Sequence, residues 1–192
     1  MNPQKVILQS KDWKDFKKRV SKLDTKSKGD CFEVLTKAYL ETDPRYTTKL
    51  RYVWHISKVP TKIRKKLNLP IQDEGIDLLA KTREGEYWAI QCKYKTDENQ
   101  SLTYKELGTF TSLSFGICKD ISLALAVTTA DKFSRKLEMY NERISYIAGD
   151  TWRGLDKVAF ARIHKYLRGD KIPRPIRFKP RKHQQRAIRN AV

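Results

Sequence analysis

The sequence predicts an α/β protein in which a central mixed β-sheet is flanked by helices. Segments with apolar residues at helical spacing alternate with short runs of branched and aromatic residues. Two of those runs are separated by a short turn, as in an antiparallel hairpin. A later run, "ISLALAVTTA", is apolar on both faces, which is typical of a central strand. An order of helices and strands of this kind indicates layers of helices packed on a sheet.

Two helices are predicted before the first strand. The apolar residues of the first recur at helical spacing and are Trp13, Phe16, Val20 and Leu23. The second helix is predicted over residues 29–42, with Asp30 as its expected N-cap. Pro44 is expected to end it, because the residue before a proline is disfavoured in a helix.

The remaining elements follow in alternation. Strands are predicted over residues 49–57, 76–81, 87–95, 121–130 and 144–150. Helices are predicted over residues 101–116, 131–143 and 151–167. The last helix has either Asp150 or Thr151 as its expected N-cap.

The charge balance is the first indication of function. The chain has 41 Lys and Arg against 22 Asp and Glu, a net charge of +19, and such an excess favours nucleic acid as a partner. No apolar run approaches the roughly 20 residues that cross a bilayer, so no membrane partner is expected. The three cysteines have neither the spacing of a zinc site nor the even number of a disulfide scaffold. A reducing, cytoplasmic location is therefore expected.

The hairpin "DEGIDLLAKTREGEYWAIQCKYK" places polar side chains within apolar strands. Alternation along the strand puts Gln91 and Lys93 on one face, and pairing across the turn can bring Asp77 beside them. A carboxylate, an amide oxygen and a main-chain oxygen are ligands that Mg²⁺ accepts, so Asp77, Gln91 and the Cys92 carbonyl are predicted to hold such an ion. Lys93 would orient or deprotonate an attacking water, or stabilise charge in the transition state. Strand alternation turns the Cys92 side chain away, toward the core.

These residues resemble the PD-(D/E)xK nuclease superfamily, and the glutamine is similar to that of its Mrr-like restriction endonuclease branch. "DEGIDLLA" resembles the strand with the acid, "GDCFEVL" the preceding helix, and "AIQCKYK" the strand with the lysine. The resemblance extends over residues 28–165. It implies a restriction-endonuclease-like fold and a DNA endonuclease that uses Mg²⁺, with Mn²⁺ as a substitute.

The resemblance also implies a role for each site residue. Asp77 and Gln91 would be metal ligands, and Lys93 would be the catalytic lysine. Glu33, on the helix before the sheet, would reach the metal through water.

Two departures from the superfamily pattern concern the acids. No proline precedes the acid of the hairpin, and Asp73 and Glu74 are further carboxylates nearby, so which acids touch the metal stays open. DNA phosphates are expected to contact basic residues close to the hairpin. These are Lys62, Arg64, Lys65 and Lys95.

The C-terminal segment "IRFKPRKHQQRAI" resembles the first segment of superfamily 2 helicases, with Gln184 or Gln185 contacting adenine. A nuclease followed by such a motor is similar to the type ISP restriction–modification enzymes. This implies an ATP-dependent motor, a methyltransferase and a target-recognition part later in the same chain. The expected division is an N-terminal basic helix at 1–27, a nuclease domain at 28–167 and a basic linker at 168–192.

The predicted function is metal-dependent hydrolysis of phosphodiester bonds in double-stranded DNA. Two alternatives remain open from the sequence. One is a non-catalytic DNA-binding module of the same fold, which would bind DNA without metal or Asp77. The other is a dimeric, structure-specific resolvase of the Holliday-junction type, against which the helicase-like C-terminal segment argues.

Overall fold

The computed structural model describes residues 1–70, 75–139 and 144–171, and these form a mixed five-stranded sheet with helices on both faces. The fold class predicted from the sequence is therefore confirmed. The strands, in chain order, are β1 (Leu50–His55), β2 (Leu78–Thr82), β3 (Tyr87–Lys93), β4 (Ser101–Leu102), β5 (Ile121–Thr128), β6 (Lys132–Phe133) and β7 (Ile144–Ile147). Strands β4 and β6 form a separate parallel pair.

The order of strands in the main sheet is β1-β2-β3-β5-β7. The first three are antiparallel, with Leu78 opposite Ile90 in the predicted hairpin. Strand β5 lies parallel to both β3 and β7, so it is an interior strand, as its apolar sequence predicted. The ends of β3, β5 and β7 therefore meet at one edge of the sheet, which also holds the beginning of β2.

The helices share the two faces of this sheet. In chain order they are α1 (Pro3–Leu8), α2 (Trp13–Val20), α3 (Thr25–Thr42), α4 (Pro44–Thr47), α5 (Thr61–Leu67), α6 (Gly108–Ser112), α7 (Arg135–Met139), α8 (Gly149–Arg153) and α9 (Lys157–Arg168). A 3₁₀ turn at Ile56–Lys58 precedes α5, another at Lys105–Leu107 precedes α6, and a π-helical turn at Leu113–Ile117 follows α6.

Two apolar clusters fill the space between the layers. The first joins the N-terminal helices and α9 to one face of the sheet, around the fully buried rings of Phe32 and Trp152, whose centroids are 4.9 Å apart. The second lies on the other face and contains Leu67 of α5 and Phe110 of α6. Burial of such side chains on both faces provides most of the driving force for folding.

Two of the expected helix boundaries were wrong. Helix α3 begins at Thr25, where the Asp24 carboxylate accepts the N–H of Ser27, so Asp30 lies inside the helix and is not its N-cap. The expected domain boundary after residue 27 falls within this helix. The predicted final helix is two helices, and Asp156 caps α9, whereas Asp150 and Thr151 belong to α8.

Two further helix predictions were right only in part. Residues 101–116 contain β4 and short helical turns, although Leu107, Phe110 and Leu113 are buried as predicted. The segment predicted as a helix from residue 131 begins with β6 and then forms α7. The linker expected from residue 168 lies mostly outside the described residues.

Strand β1 forms an outer edge of the sheet. The Val53 N–H on this strand donates to the Glu41 side chain of α3 at 3.0 Å. The side chain therefore satisfies a main-chain donor that an edge strand would otherwise leave open. Within the described residues, no helix combines the length and the apolar character that crossing a bilayer requires.

Candidate active site

Asp77 lies one residue before β2 and is held by main-chain hydrogen bonds on both sides. Its N–H donates to Ile90 O at 2.9 Å, and its carbonyl accepts the Ile56 N–H at 2.9 Å. Asp77 directly precedes Leu78, and Gln91 directly follows Ile90, the residue paired with Leu78 at the end of the hairpin register. Asp77 is only 8% exposed, although carboxylates are seldom buried without a partner.

The Asp77 carboxylate turns toward the end of β3. The main-chain N–H of Cys92 donates to Asp77 Oδ2 at 2.5 Å. This charge-assisted hydrogen bond fixes the acid beside the main chain whose carbonyl was predicted as a metal ligand. The structure thus brings the Asp77 carboxylate to the Cys92 main chain at the end of β3, with Gln91 one residue before it.

The pKa of the Cys92 thiol is affected by the charged groups that lie near the end of β3. Burial raises its pKa well above the ordinary value, and the negative charges of Asp77 and Glu33 raise it further, while Lys93 acts in the opposite direction. The Glu33 carboxylate of α3 thus lies close enough to the end of β3 to act on this thiol. The Cys92 side chain packs against the first apolar cluster, which agrees with its expected place in the core.

Gln91 is 3% exposed, and its Oε1 atom has no hydrogen-bond partner among the described residues. A buried acceptor without a partner costs about 1–3 kcal/mol. An oxygen in this state, on the residue just before the main-chain N–H that holds the Asp77 carboxylate, is suited to a cation or a bound water. The residues present therefore fit the divalent metal that the fold family implies.

Gly75 shapes the other side of Gln91, and sequence reasoning did not name it as a site residue. Its φ of +118° is a conformation that residues with a side chain rarely adopt. A methyl group at this position would lie 3.5 Å from Gln91 Nε2, from the Phe110 N atom and from the Thr109 methyl group. The glycine stands in the "DEGIDLLA" segment that was compared with the superfamily, but the sequence could not show that α6 packs beside it.

Lys93 is half-buried and ends β3. Its carbonyl accepts the Thr128 hydroxyl at 2.9 Å and the Thr129 N–H at 3.4 Å. These bonds tie the end of β3 to the end of β5, so the lysine projects from a rigid main chain at the same edge as Asp77.

Of the four residues expected to contact DNA, two have other partners. Lys95 Nζ forms an ion pair with Glu106 Oε1 at 2.5 Å. The Arg64 guanidinium donates to the carbonyls of Pro70 and Ile56. Lys62 and Lys65 are exposed on α5.

Some predicted residues fall outside the described part of the chain. These are the additional acids Asp73 and Glu74 and the adenine-contacting candidates Gln184 and Gln185. Across residues 1–70, 75–139 and 144–171, no three Asp, Glu, His or Cys side chains form a metal-binding group. The predicted ligand set does not need one, because it combines a carboxylate with an amide oxygen and a main-chain carbonyl.

Comparisons with known proteins identify the family of the chain. A sequence model described as restriction endonuclease, of the Mrr catalytic type, matches residues 41–148, which include Asp77, Gln91 and Lys93 but not Glu33. No curated protein matches the chain.

Two solved structures are similar to the chain. The "ATP-dependent Type ISP restriction-modification enzyme LlaBIII bound to DNA" has a TM-score of 0.62 and 25% identity, over 94% of this chain and 11% of that one. The chain thus spans about a tenth of that enzyme's length. A protein of unknown function has a TM-score of 0.41 and 15% identity, over 67% of this chain and 64% of the other.

The restriction endonuclease model matches more than half of the 192 residues of this chain. The chain therefore belongs to the Mrr-type restriction endonuclease family.

Proposed function

We propose that the chain is a metal-dependent endonuclease that hydrolyses phosphodiester bonds in double-stranded DNA at the edge formed by Asp77, Gln91 and Lys93. The observation that carries this proposal is the buried Gln91 Oε1, which has no hydrogen-bond partner among the described residues and belongs to the residue just before the Cys92 N–H that holds the Asp77 carboxylate. Membership of the restriction endonuclease family supports the reaction class, and the net charge of +19 supports a polyanionic substrate.

A divalent cation would be held by Asp77, Gln91 Oε1 and the Cys92 carbonyl, and Mg²⁺ suits such oxygen ligands, with Mn²⁺ as a substitute. When bound, it would neutralise charge on the phosphodiester and lower the pKa of water. Glu33 would act through water from the α3 side, where its charge already reaches the Cys92 thiol.

The chain's own residues orient the reaction. Asp77 is fixed by three hydrogen bonds and therefore keeps its carboxylate in one position. The Lys93 ammonium at the end of β3 would hold the attacking water or the charge that develops on the phosphate oxygens. Because the main chain at Lys93 is tied to β5, this side chain starts from a fixed position before DNA binds.

We further propose that the domain works as the nuclease part of a longer, ATP-dependent type ISP restriction–modification enzyme. The similarity to LlaBIII over 94% of this chain supports this context. The helicase motor, methyltransferase and target-recognition part would then supply movement along DNA and sequence specificity. Gln184 or Gln185 would belong to the beginning of the motor.

The proposal is tested with supercoiled plasmid, purified protein and Mg²⁺ or Mn²⁺, with nicked and linear products as the readout. Lys93→Ala should lower the rate of nicking by about 10²–10⁴-fold. Lys157→Ala, which removes an exposed lysine of α9, is the matched control and should cut as the unmodified protein does.

Equal rates for Lys93→Ala and the control would refute the assignment of the site. If the unmodified domain does not cut, titration calorimetry with Mn²⁺ is the second measurement. Binding that disappears in Asp77→Asn would support a nuclease that needs its motor. DNA binding without any metal site would instead favour the non-catalytic module.

A further inference from the structure

Residues 44–72 contain eight Lys and Arg and not one Asp or Glu. With 22 acids in 192 residues, a stretch of this length would be expected to hold about three. The acid-free segment covers β1, the 3₁₀ turn at Ile56–Lys58 and α5. Its charge is therefore concentrated in one continuous part of the fold.

This segment is attached directly to the candidate active site. The Ile56 N–H donates to the Asp77 carbonyl at 2.9 Å, where β1 ends beside the beginning of β2. Lys58 follows two residues later, and α5 begins at Thr61. The five Lys and Arg residues that follow β1 thus begin next to the acid that would hold the metal.

The contacts divide the five cations from Lys58 to Lys66 into two groups. Arg64 is used within the fold, since its guanidinium donates to the Pro70 and Ile56 carbonyls. Lys66 lies 3.6 Å from the Asp120 carboxylate. Lys58, Lys62 and Lys65 are exposed, and none has an ion pair within the described part of the chain.

The apolar side of α5 is already occupied. Leu67 is fully buried in the second cluster, and Ile63 packs against it. The helix therefore has no free apolar face to insert into a bilayer, and its exposed side offers ammonium groups alone. The partner chemistry that fits is a row of phosphates.

We propose that Lys58, Lys62 and Lys65 form the surface that holds the DNA phosphate backbone beside the cutting edge, whereas Arg64 positions the main chain next to Asp77. This inference rests on the proposed nuclease function and names the part of the surface that its substrate touches. It also revises the sequence expectation for Arg64, whose guanidinium is used within the fold.

The salt dependence of DNA binding gives the test. Each phosphate neutralised by a lysine contributes about 0.9 to the slope of log K against log salt concentration. Removing two such contacts should therefore make the slope less steep by about two. Fluorescence anisotropy with a labelled duplex, measured in EDTA so that nothing is cut, gives this slope for the full 192-residue chain.

The test variant is Lys62→Ala/Lys65→Ala, and the matched control is Lys14→Ala/Lys18→Ala on α2. Both pairs are exposed, lie on a helix and change the net charge equally. The α5 pair should lose about two units of slope and the α2 pair should lose little. Lys62→Arg/Lys65→Arg should keep the original slope, which excludes a loss caused by misfolding.

Equal losses for the two pairs would mean that only overall charge matters, and this would overturn the proposal. So would an unchanged slope in the α5 pair, or no DNA binding by the unmodified chain. Lys93→Ala separates this proposal from the nuclease proposal, because it should fail to cut while losing no more than the slope of about 0.9 that a single phosphate contact contributes. If the unmodified chain binds through α5 but cannot cut with any metal, the surface stands and the nuclease proposal fails.

Discussion

The Cys92 main-chain N–H donates to the Asp77 carboxylate at 2.5 Å, which ties the acid of one hairpin strand to the main chain of the other. The bond passes across the open end of the hairpin, beyond the last paired residues Leu78 and Ile90. The acid is thus held before any ligand arrives. Its role in holding the hairpin and its proposed role in binding metal can be separated by substitution.

Asp77→Asn and Asp77→Ala should differ in stability but not in activity. Asparagine keeps an oxygen that can accept the Cys92 N–H, whereas alanine leaves this donor unpaired at a cost of about 1–3 kcal/mol. Both remove the negative charge, so nicking should fall by more than about 100-fold in each, given the several kcal/mol that a metal provides. Urea unfolding and plasmid nicking measure the two effects. Cutting by Asp77→Asn at the original rate would contradict the role of the acid.

Gly75→Ala and Gly85→Ala form a matched pair. Both glycines have a positive φ, +118° and +100°, so alanine should cost each variant about 1–3 kcal/mol of stability. At Gly75 the methyl group would be in van der Waals contact with the Gln91 amide at 3.5 Å, so a backbone shift that relieves the strained φ would also disturb Gln91, whereas nothing lies within 4 Å of a methyl group at Gly85. Only Gly75→Ala should therefore lose cutting activity in conditions where both variants are folded. Equal activity in the two would show that Gly75 has no influence on Gln91.

His55 should make the stability of the fold depend on pH. Burial and the nearby Lys37 charge lower its pKa below the ordinary value of 6.5, which the unfolded chain retains. As the pH falls below about 6.5, the unfolded state gains a proton that the folded state resists, so this contribution to stability is complete above that pH and is lost below it. Urea unfolding between pH 7.5 and 5.5 should show a smaller loss for His55→Gln than for the unmodified protein. Parallel curves would contradict this.

The Cys31 thiol should be unreactive in the folded protein. Burial, with a smaller effect of Asp30, raises its pKa to about 11, so the thiolate fraction at pH 8 is on the order of 10⁻³. Cys118 is also buried, and burial raises its pKa. Labelling with iodoacetamide at pH 8, followed by peptide mass spectrometry, should be much slower for both cysteines in buffer than in urea. Rapid labelling of Cys31 without denaturant would refute its buried environment.

Local patterns were sufficient to predict the hairpin and its polar residues. The alternation around Gln91 identified the faces of β3, since side chains of a strand alternate regardless of what packs on them. The buried helix residues Phe16 and Val20 were likewise evident from their spacing. These predictions needed only neighbours in the chain.

The start of α3 illustrates why other features were missed. The predicted helix began only at residue 29, but a glycine within a helix costs only about 1 kcal/mol, and the buried residues that follow outweigh it. The cap was therefore Asp24 and not Asp30. The same kind of error merged α8 and α9, because the Asp156 cap was overlooked inside an otherwise helical pattern.

Contacts between segments that are distant in the chain could not be predicted from the sequence. Lys95 and Arg64 were predicted to contact DNA. In the structure the Lys95 ammonium pairs with Glu106, and the Arg64 guanidinium donates to the Pro70 and Ile56 carbonyls. A basic side chain has the same appearance in a sequence whether it faces solvent or a carbonyl. Only the packing of the chain distinguishes a DNA contact from a structural one.

The Glu41 carboxylate on the outer side of β1 affects how two copies of the domain can assemble. It already accepts the Val53 N–H, so a strand from a second molecule would have to displace it to extend the sheet. A double-strand break requires one cut in each strand, and hence two domains acting on one duplex. Such a pair would be expected to meet without joining their sheets through β1. A mutation that removes the Glu41 carboxylate would leave the Val53 N–H free to pair with a strand of another molecule.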